Sequence, residues 1–179
     1  MRIIAGEAGG RNLETPEGRE IRPTPERARE ALFSILDNIV DAIVVDGFAG
    51  TGALGCEALS RGAALCYFID DRADSIDLVE ENLDRIGAKD RGIILEGDFE
   101  SSLPLIYDDP DLWLLDPPYE SGLGQSALEK MAESPSVTDD ALVVLEISDR
   151  EEPPEVEGFE MVDRREYGKA QLIFYRYRG

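Results

Sequence analysis

The feature that most constrains the fold is an alternation of short apolar runs with helix-like segments between residues 42 and 147. Five short runs are predominantly apolar, and each has the length of one strand: Ala42–Asp46, Ala64–Ile69, Gly92–Leu95, Leu112–Leu115 and Ala141–Ile147. Helix-like segments lie between them, at Gly52–Ser60, Ala73–Ile86 and Gln125–Ala132. Continuous apolar strands that alternate with helices are typical of a buried parallel sheet. The sequence therefore predicts an α/β fold with helices on both faces of the sheet.

Antiparallel elements are predicted at the two ends of the chain. Near the C-terminus, Gly158–Glu166 and Ala170–Tyr177 flank Tyr167-Gly168-Lys169, which is a hairpin signal. This hairpin is expected to join the parallel sheet. Near the N-terminus, Arg2–Ala5 and Arg11–Leu13 flank three glycines and predict a small β-hairpin.

An amphipathic helix is predicted to follow the N-terminal hairpin. Thr24 is a suitable N-cap, and Pro25 suits the first helical position. Apolar residues then recur at helical spacing: Ala28, Ala31, Leu32, Ile35, Leu36 and Ile39. Arg27 and Glu30 lie off this stripe and are expected to be exposed. We therefore divide the chain into an extension, residues 1–23, and a main domain, residues 24–179.

The size and composition suit a single folded domain. The chain has 179 residues, of which 42% are hydrophobic. No apolar run is long enough to span a membrane and no apolar leader begins the chain, so a cytoplasmic protein is expected. A monomer is also expected. With two cysteines and no histidine, a Cys/His metal site has no ligand set. Cys56 and Cys66 are therefore predicted to be small buried hydrophobes.

The charge is strongly acidic and unevenly spread. The formal net charge is −21. Residues 1–30 hold six arginines and six glutamates, and residues 164–179 carry a net +4, so that residues 31–163 carry −25. Because phosphate binding usually needs a basic surface, a nucleic-acid partner is expected to dock only near the two ends. An alternative explanation of the acidity is an adaptation to salt.

A glycine-rich loop follows the first predicted strand and opens a helix. In "DGFAGTGALG", residues 46–55, Gly50, Gly52 and Gly55 fit the pattern G-x-G-x-x-G. Such glycines let a ligand approach the backbone closely. An acid that binds ribose hydroxyls is expected about 20 residues later, at the end of the second strand. Asp70 fits that place, and Asp71 is the alternative. A nucleoside-type cofactor is therefore predicted.

The identity of the cofactor follows from the acids around the loop. A diphosphate favours a bare helix N-terminus, whereas S-adenosylmethionine has no phosphate and carries a positive sulfonium. Acids end four of the predicted strands: Asp46, Asp70, Asp98 and Asp116. Together they would repel a phosphate, and Asp98 is suitably placed for an adenine amino group. Each acid alone is equally consistent with a turn or a helix cap, but their shared position favours S-adenosylmethionine.

The fourth strand ends in "LLDPPY", residues 114–119. Pro117 and Pro118 have no N–H, so the backbone around Asp116 offers only hydrogen-bond acceptors. The complement of such a patch is an amino group with two donors, and Tyr119 provides a flat face on which a base can stack. The motif therefore predicts methyl transfer to an exocyclic base nitrogen. The alternative is a rigid strand exit with an aromatic packed on it.

Three segments carry a resemblance to a known family: "RIIAG…GRNLETPEG…RPTPERAREALFSIL", "DGFAGTGALGCEALSRGA" and "LLDPPY". With these segments the chain resembles, over nearly its whole length, the RsmD family of bacterial 16S rRNA guanine-N2 methyltransferases. "DPPY" alone is shared with DNA amino-methyltransferases and some protein glutamine methyltransferases. The resemblance implies a class I, Rossmann-like fold with seven strands. It also implies a guanine substrate in an assembling 30S subunit. The net charge of −21 is unusual for an rRNA enzyme, so a ribosomal protein or the assembled particle is expected to contribute to recognition.

The resemblance also implies roles for individual residues. The expected catalytic residues are Asp116, Pro117, Pro118 and Tyr119. The expected cofactor-binding residues are Asp46, Phe48, Gly50, Gly52, Asp70, Asp71, Asp98 and Phe99. The residues expected to face RNA or brace the site are Arg2, Arg11, Arg22, Thr24 and Arg27. The family usually has Glu at the ribose position, so Asp70 must reach with a shorter side chain.

Three other functions are consistent with parts of the sequence. A DNA adenine or cytosine amino-methyltransferase would share "DPPY", but the chain has no room for a target-recognition domain. An NAD-dependent oxidoreductase would share the glycine loop, but the chain has no histidine and "DPPY" would have no role. A binding module that has lost catalysis is a further alternative, against which the intact Asp116 counts.

Overall fold

A computed structural model describes residues 1–17 and 26–179, so the predictions for Arg22, Thr24 and Pro25 and the boundary after residue 23 lie outside the described residues. In this part of the chain seven strands form one sheet: β1 Ile43–Asp46, β2 Leu65–Asp70, β3 Gly92–Glu96, β4 Leu112–Leu115, β5 Leu142–Ser148, β6 Phe159–Tyr167 and β7 Ala170–Tyr177. Their order is β3-β2-β1-β4-β5-β7-β6. The first five strands are parallel, and β7 and β6 add an antiparallel hairpin. The predicted sheet and hairpin are confirmed.

Helices cover both faces of the sheet, as predicted. They are α1 Glu26–Ile35, α2 Ala53–Ser60, α3 Ala73–Ile86, α4 Phe99–Ser102 and α5 Leu123–Ala132. The first three pack on one face around Val44, Phe68 and Leu114. The last two pack on the other face around Trp113 and Leu145. The short helix α4 has no apolar period of its own, and the sequence did not indicate it.

The strand order reverses beside β1, and this reversal locates the crevice for a ligand. The chain runs from β1 outward to β3, then returns to β4 on the other side of β1. In open α/β sheets, ligands bind outside the carboxyl ends of the strands at such a switch point. The N–H of Gly47 donates to the carbonyl of Leu114 over 2.9 Å, so the loop after β1 lies directly against the end of β4.

The predicted N-terminal hairpin is confirmed and is packed tightly onto α2. Arg2 and Asn12 form an antiparallel bridge. The carboxylate of Glu57, on α2, accepts the backbone N–H groups of Ile4 and Ala5 over 2.9 and 3.1 Å. Gly6 has φ +86°, and a Cβ there would lie 1.8 Å from the backbone oxygen of Ser60. Only glycine therefore allows the hairpin to lie this close to the helix.

Helix α1 differs from its predicted stripe in two ways. Arg29 is 2% exposed, and its guanidinium donates to the carbonyl of Arg2. The helix ends at Ile35, and Asp37 has φ +57°, so the buried Ile39 belongs to the connection that follows. Arg27 and Glu30 are exposed, as expected.

The two cysteines have the buried environment that the sequence predicts. Cys56 in α2 and Cys66 in β2 are free and buried, and burial raises the pKa of both thiols.

Within residues 1–17 and 26–179, no helix has both the length and the apolar character that a membrane crossing requires. The same residues contain no group of His, Cys, Asp and Glu side chains that could hold a metal ion.

Candidate active site at the carboxyl edge of the sheet

The glycine loop after β1 has the conformation that its sequence predicts. Gly50 and Gly52 have φ +55° and +76°, which side chains rarely adopt. Gly55 has a different reason to be glycine, because a Cβ there would lie 2.3 Å from the ring of Phe68. The first two glycines therefore shape the turn, and the third lets α2 pack closely on β2.

Asp46, the last residue of β1, is buried beneath the glycine loop and binds its backbone. It is 1% exposed, and its Oδ2 accepts the N–H of Gly55 over 2.9 Å. Its Oδ1 is buried and has no hydrogen-bond partner among residues 1–17 and 26–179. Burial is the main reason why the pKa of Asp46 rises to about 7, with the nearby charge of Asp70 adding to the effect and the Gly55 bond opposing it. Asp46 does not line the pocket described below, so its predicted contact with the cofactor stays a prediction.

Because its folded-state pKa is raised, Asp46 should make the protein less stable as pH rises from about 4 to about 7. The linkage amounts to roughly 4 kcal/mol at neutral pH. In Asp46→Asn the amide oxygen still accepts from Gly55, and any cost of burying the amide does not depend on pH. The free energy of unfolding of the variant, measured by urea denaturation, should therefore rise relative to wild type across this interval and level off above it. A difference that is constant with pH would contradict the burial argument.

A pocket of about 200 Å³ opens at the same edge of the sheet. Five residues from the predicted cofactor set line it: Phe48, Asp70, Asp71, Asp98 and Phe99. Phe48 and Phe99 stack with ring centroids 5.5 Å apart and planes 11° apart. The aromatic pair and the three acids give the pocket a flat apolar wall beside hydrogen-bond acceptors.

Asp70 is held in place, whereas Asp71 is exposed. Oδ2 of Asp70 accepts the N–H of Gly50 over 2.8 Å, and Oδ1 accepts the N–H of Arg72 over 3.0 Å. Each carboxylate oxygen can accept more than one hydrogen bond. The arrangement favours Asp70 over Asp71 as the acceptor for ribose hydroxyls, because the glycine loop fixes its side chain.

Asp98 is the N-cap of α4, a role that the sequence left open. Its Oδ1 accepts the N–H of Ser101 over 2.8 Å, and this bond holds the pKa of Asp98 below its usual range. Asp98 is therefore an ionised acceptor on the wall of the pocket. Lys130 on α5 pairs with Glu100 at 3.1 Å, and both residues also line the pocket. The sequence did not single out this pair, which lies outside every motif.

Asn82 connects the N-terminal segment to the glycine loop. Its side chain is fully buried, and its amide nitrogen donates to the carbonyl of Thr51 over 2.8 Å. The same side chain accepts the N–H of Glu14 over 2.7 Å and donates to the carbonyl of Glu14 over 3.1 Å. The loop and the segment that precedes residue 18 are therefore fixed relative to each other. No pattern around Asn82 in the sequence indicated this.

The "DPPY" segment follows β4 directly, beside the glycine loop. Asp116 is half-buried, Pro117 is buried and Pro118 is exposed. Tyr119 is half-buried, and its hydroxyl donates to Oε1 of Glu146 over 2.6 Å. Glu146 lies on β5 and was not predicted, because it stands inside an apolar run. The structure thus brings the predicted catalytic residues to the same edge as the predicted cofactor loop.

The residues expected to face RNA have different environments. Arg2 is largely exposed and pairs with Glu26 at 2.9 Å, and Arg27 is exposed. Arg11 donates to the carbonyl of Arg85 over 2.8 Å. Arg22 and Thr24 lie outside the described residues. The role of all five stays a prediction.

Fold and site together define a class I methyltransferase: a seven-stranded Rossmann-like sheet with a glycine loop after β1 and "DPPY" after β4. The chain belongs to the RsmD family, since the family described as "Conserved hypothetical protein 95" matches residues 1–176. Over 148 residues it is 38% identical to ribosomal RNA small subunit methyltransferase D of Escherichia coli K12, covering 82% of this chain and 74% of that protein.

Solved structures agree with this assignment. The yhhF protein of Escherichia coli superposes with a TM-score of 0.86 at 31% identity, covering 99% of this chain and 98% of that one. An RNA methyltransferase from Salinibacter ruber, solved in complex with S-adenosyl-L-homocysteine, has a TM-score of 0.68 at 14% identity, covering 87% of this chain and 94% of that one. The second likeness shows the fold alone.

Proposed function

We propose that the chain is an rRNA methyltransferase that transfers a methyl group from S-adenosylmethionine to the exocyclic N2 amine of a guanine in 16S rRNA. The observation that carries the proposal is the position of Asp116, Pro117, Pro118 and Tyr119. They follow β4 at the point where the N–H of Gly47 binds the carbonyl of Leu114. Methyl donor and acceptor amine would therefore meet at neighbouring strand ends. The family relationship to ribosomal RNA small subunit methyltransferase D supports the substrate class.

The donor set of the pocket fits S-adenosylmethionine. Asp70 is aligned by the Gly50 N–H to accept from ribose hydroxyls. Asp98 is ionised and suits an adenine amino group, and the stacked rings of Phe48 and Phe99 offer an apolar wall to the base. Acids around the pocket disfavour a phosphate-bearing cofactor. The Salinibacter ruber neighbour with bound S-adenosyl-L-homocysteine has the same fold.

The chain's own contribution to the chemistry is to orient and to polarise the amine. The bound cofactor supplies an electrophilic methyl group on a positive sulfonium. The carboxylate of Asp116 and the carbonyls beside it accept from the two N–H groups, which frees the nitrogen lone pair for in-line attack. As the N–C bond forms and the C–S bond breaks, positive charge develops on nitrogen, where Asp116 stabilises it. The nitrogen then loses one proton, for which Asp116 is the nearest proposed acceptor.

The target guanine must be unstacked to reach this site, so it lies in a loop or is extruded from a helix. Tyr119 provides the face on which the base stacks. Pro117 and Pro118 fix the backbone that carries Asp116, and their missing N–H groups leave the patch without donors that would repel an amine. These features favour an amino group as substrate over a ring nitrogen that only accepts.

We further propose a 30S subunit or an assembly intermediate as the substrate, with the enzyme acting as a cytoplasmic monomer. The net charge of −21 gives the protein little general affinity for naked RNA. In the basic C-terminal segment Arg165 pairs with Asp163, and Arg178 pairs with Glu160 and Asp140, so this charge is partly neutralised. Contacts with ribosomal proteins would supply the affinity that the phosphates do not. The arginines of the N-terminal segment are the proposed RNA contacts.

Incubation with radiolabelled S-adenosylmethionine tests the substrate. We expect label on 16S rRNA within 30S particles that were purified from cells lacking the enzyme, with much less on naked 16S rRNA. Particles that already carry the methyl group are the matched control and should take up no label. Label on duplex DNA alone would favour the DNA amino-methyltransferase instead. Nuclease digestion and mass spectrometry should identify N2-methylguanine as the product.

A further inference from the structure

Glu146 is an acid in a place where the sheet calls for an apolar side chain. It lies on β5, whose neighbouring residues Leu145 and Ile147 are buried, and it is itself only 6% exposed. Burying a carboxylate is costly unless it is paired and hydrogen-bonded. The hydroxyl of Tyr119 donates to Glu146 over 2.6 Å, within the range of strong bonds to a charged acceptor. This hydrogen bond therefore links a buried carboxylate to the orientation of one aromatic ring.

The sheet register places this pair beside Asp116. Leu115 of β4 is paired with Leu145 of β5, so Asp116 and Glu146 are the next residues along adjacent parallel strands. Two prolines separate Asp116 from Tyr119 and restrict the backbone between them. The prolines do not restrict the side-chain torsions of Tyr119. A hydroxyl anchored on a rigid central strand removes that freedom.

We infer that Glu146 is a positioning residue, which acts through the Tyr119 hydroxyl to fix the plane on which the target base stacks. The inference rests on the proposed function and deepens it. Glu146 does not need to touch the base: it holds the ring of Tyr119 at a fixed angle to the carboxylate of Asp116. The base is thereby presented with its amino group toward the acceptors. Small misplacements of reacting groups lower rates by large factors.

Four variants test the inference: Glu146→Gln, Glu146→Leu, Tyr119→Phe and the double variant Tyr119→Phe/Glu146→Leu. Glutamine keeps an oxygen that accepts from Tyr119, whereas leucine removes it. We expect kcat for RNA methylation to fall roughly tenfold or more in Glu146→Leu and to recover largely in Glu146→Gln. Cofactor affinity, measured by calorimetry, should stay unchanged in all four. Adding Glu146→Leu to Tyr119→Phe should lower kcat by a smaller factor than it does in the wild-type protein, because the loss of the hydroxyl already removes the contact through which Glu146 orients the ring.

Two outcomes overturn the inference while leaving the proposed function intact. One is a wild-type kcat in Tyr119→Phe and Glu146→Leu. The other is a full additional loss when Glu146→Leu is added to Tyr119→Phe, which would mean that Glu146 acts elsewhere. By contrast, a wild-type protein that methylates no nucleic acid would contradict the proposed function.

A measurement without substrate tests the inference separately. In the wild-type protein, NMR should show a hydroxyl proton of Tyr119 that is protected from exchange with water by its bond to Glu146. The signal should be absent in Tyr119→Phe, which identifies it, and should be lost in Glu146→Leu but kept in Glu146→Gln. An unprotected hydroxyl in wild type, or one that stays protected in Glu146→Leu, would overturn the inference whatever the enzyme methylates.

Discussion

Asp116→Ala should lose methyl transfer by about 10³-fold or more while its affinity for S-adenosylmethionine stays near that of wild type. The carboxylate is proposed to accept from the target amine and to stabilise the charge that develops on nitrogen. Removing one preorganised group of this kind typically lowers kcat by about 10²–10³. Loss of the proposed proton acceptor adds to that effect. Transfer of radiolabel to 30S particles measures the rate, and calorimetry measures cofactor affinity.

A comparison of Asp116 with Asp70, at the same edge of the sheet, distinguishes a loss of chemistry from a loss of cofactor binding. Asp116→Asn keeps one acceptor oxygen and should retain intermediate activity. Asp70→Ala removes the acceptor that is aligned by the Gly50 N–H and should weaken cofactor binding first. If Asp116→Ala lost cofactor affinity as Asp70→Ala is expected to, Asp116 would belong to the cofactor site. Wild-type transfer by Asp116→Ala would exclude it from the chemistry.

The elements that position this site follow from short-range patterns in the sequence. Continuous apolar runs identify β1, β2, β4 and β5, because strands buried on both faces need no polar alternation. The run of β3 is also apolar, although this edge strand is only half-buried. The acids at their ends are then brought together by the parallel topology alone. Phe99 and Asp98 line the pocket for this reason, although nothing local distinguished them from an ordinary turn. The glycine pattern likewise indicated the turn, with its positive φ at Gly50 and Gly52.

Buried charges inside apolar patterns were not predictable in the same way. Arg29, Glu57 and Glu146 look like solvent-facing residues in the sequence, yet each is at least 94% buried. Each has a partner far along the chain: Tyr119 for Glu146 and the N-terminal hairpin for the other two. Periodicity describes one element at a time, so it does not reveal a charge that is satisfied by another element. Asp46 is the opposite case: the glycine motif placed this acid at the cofactor site, whereas in the structure it is buried and binds the N–H of Gly55.

Glu57→Ala should be the most destabilising single change on the surface between the hairpin and α2. Glu57 is fully buried and accepts from the backbone of Ile4 and Ala5, while Arg61 binds it at 2.8 Å. Its charge also favours the buried guanidinium of Arg29, whose pKa is lowered by burial. Removing one partner from a buried ionic group typically costs about 3–5 kcal/mol. For a domain of this size, we expect Tm to fall by roughly 10 °C.

Matched variants separate the buried network from general effects of charge. Glu7→Ala removes a glutamate of the same hairpin that is 83% exposed and lies 3.6 Å from Arg91, so it should change the free energy of unfolding by less than about 1 kcal/mol. Glu57→Gln keeps an acceptor for one backbone N–H but leaves Arg29 and Arg61 without their buried counter-charge, so its Tm should lie between those of Glu57→Ala and wild type. Thermal unfolding followed by circular dichroism measures the Tm of the Glu57→Ala, Glu57→Gln and Glu7→Ala variants. Because Glu57 fixes the hairpin that carries Arg2 and Arg11, two of the proposed RNA contacts, the alanine variant should methylate 30S particles poorly even at temperatures where it is folded. Equal Tm values for Glu57→Ala and Glu7→Ala would mean that the hairpin is held by apolar packing alone.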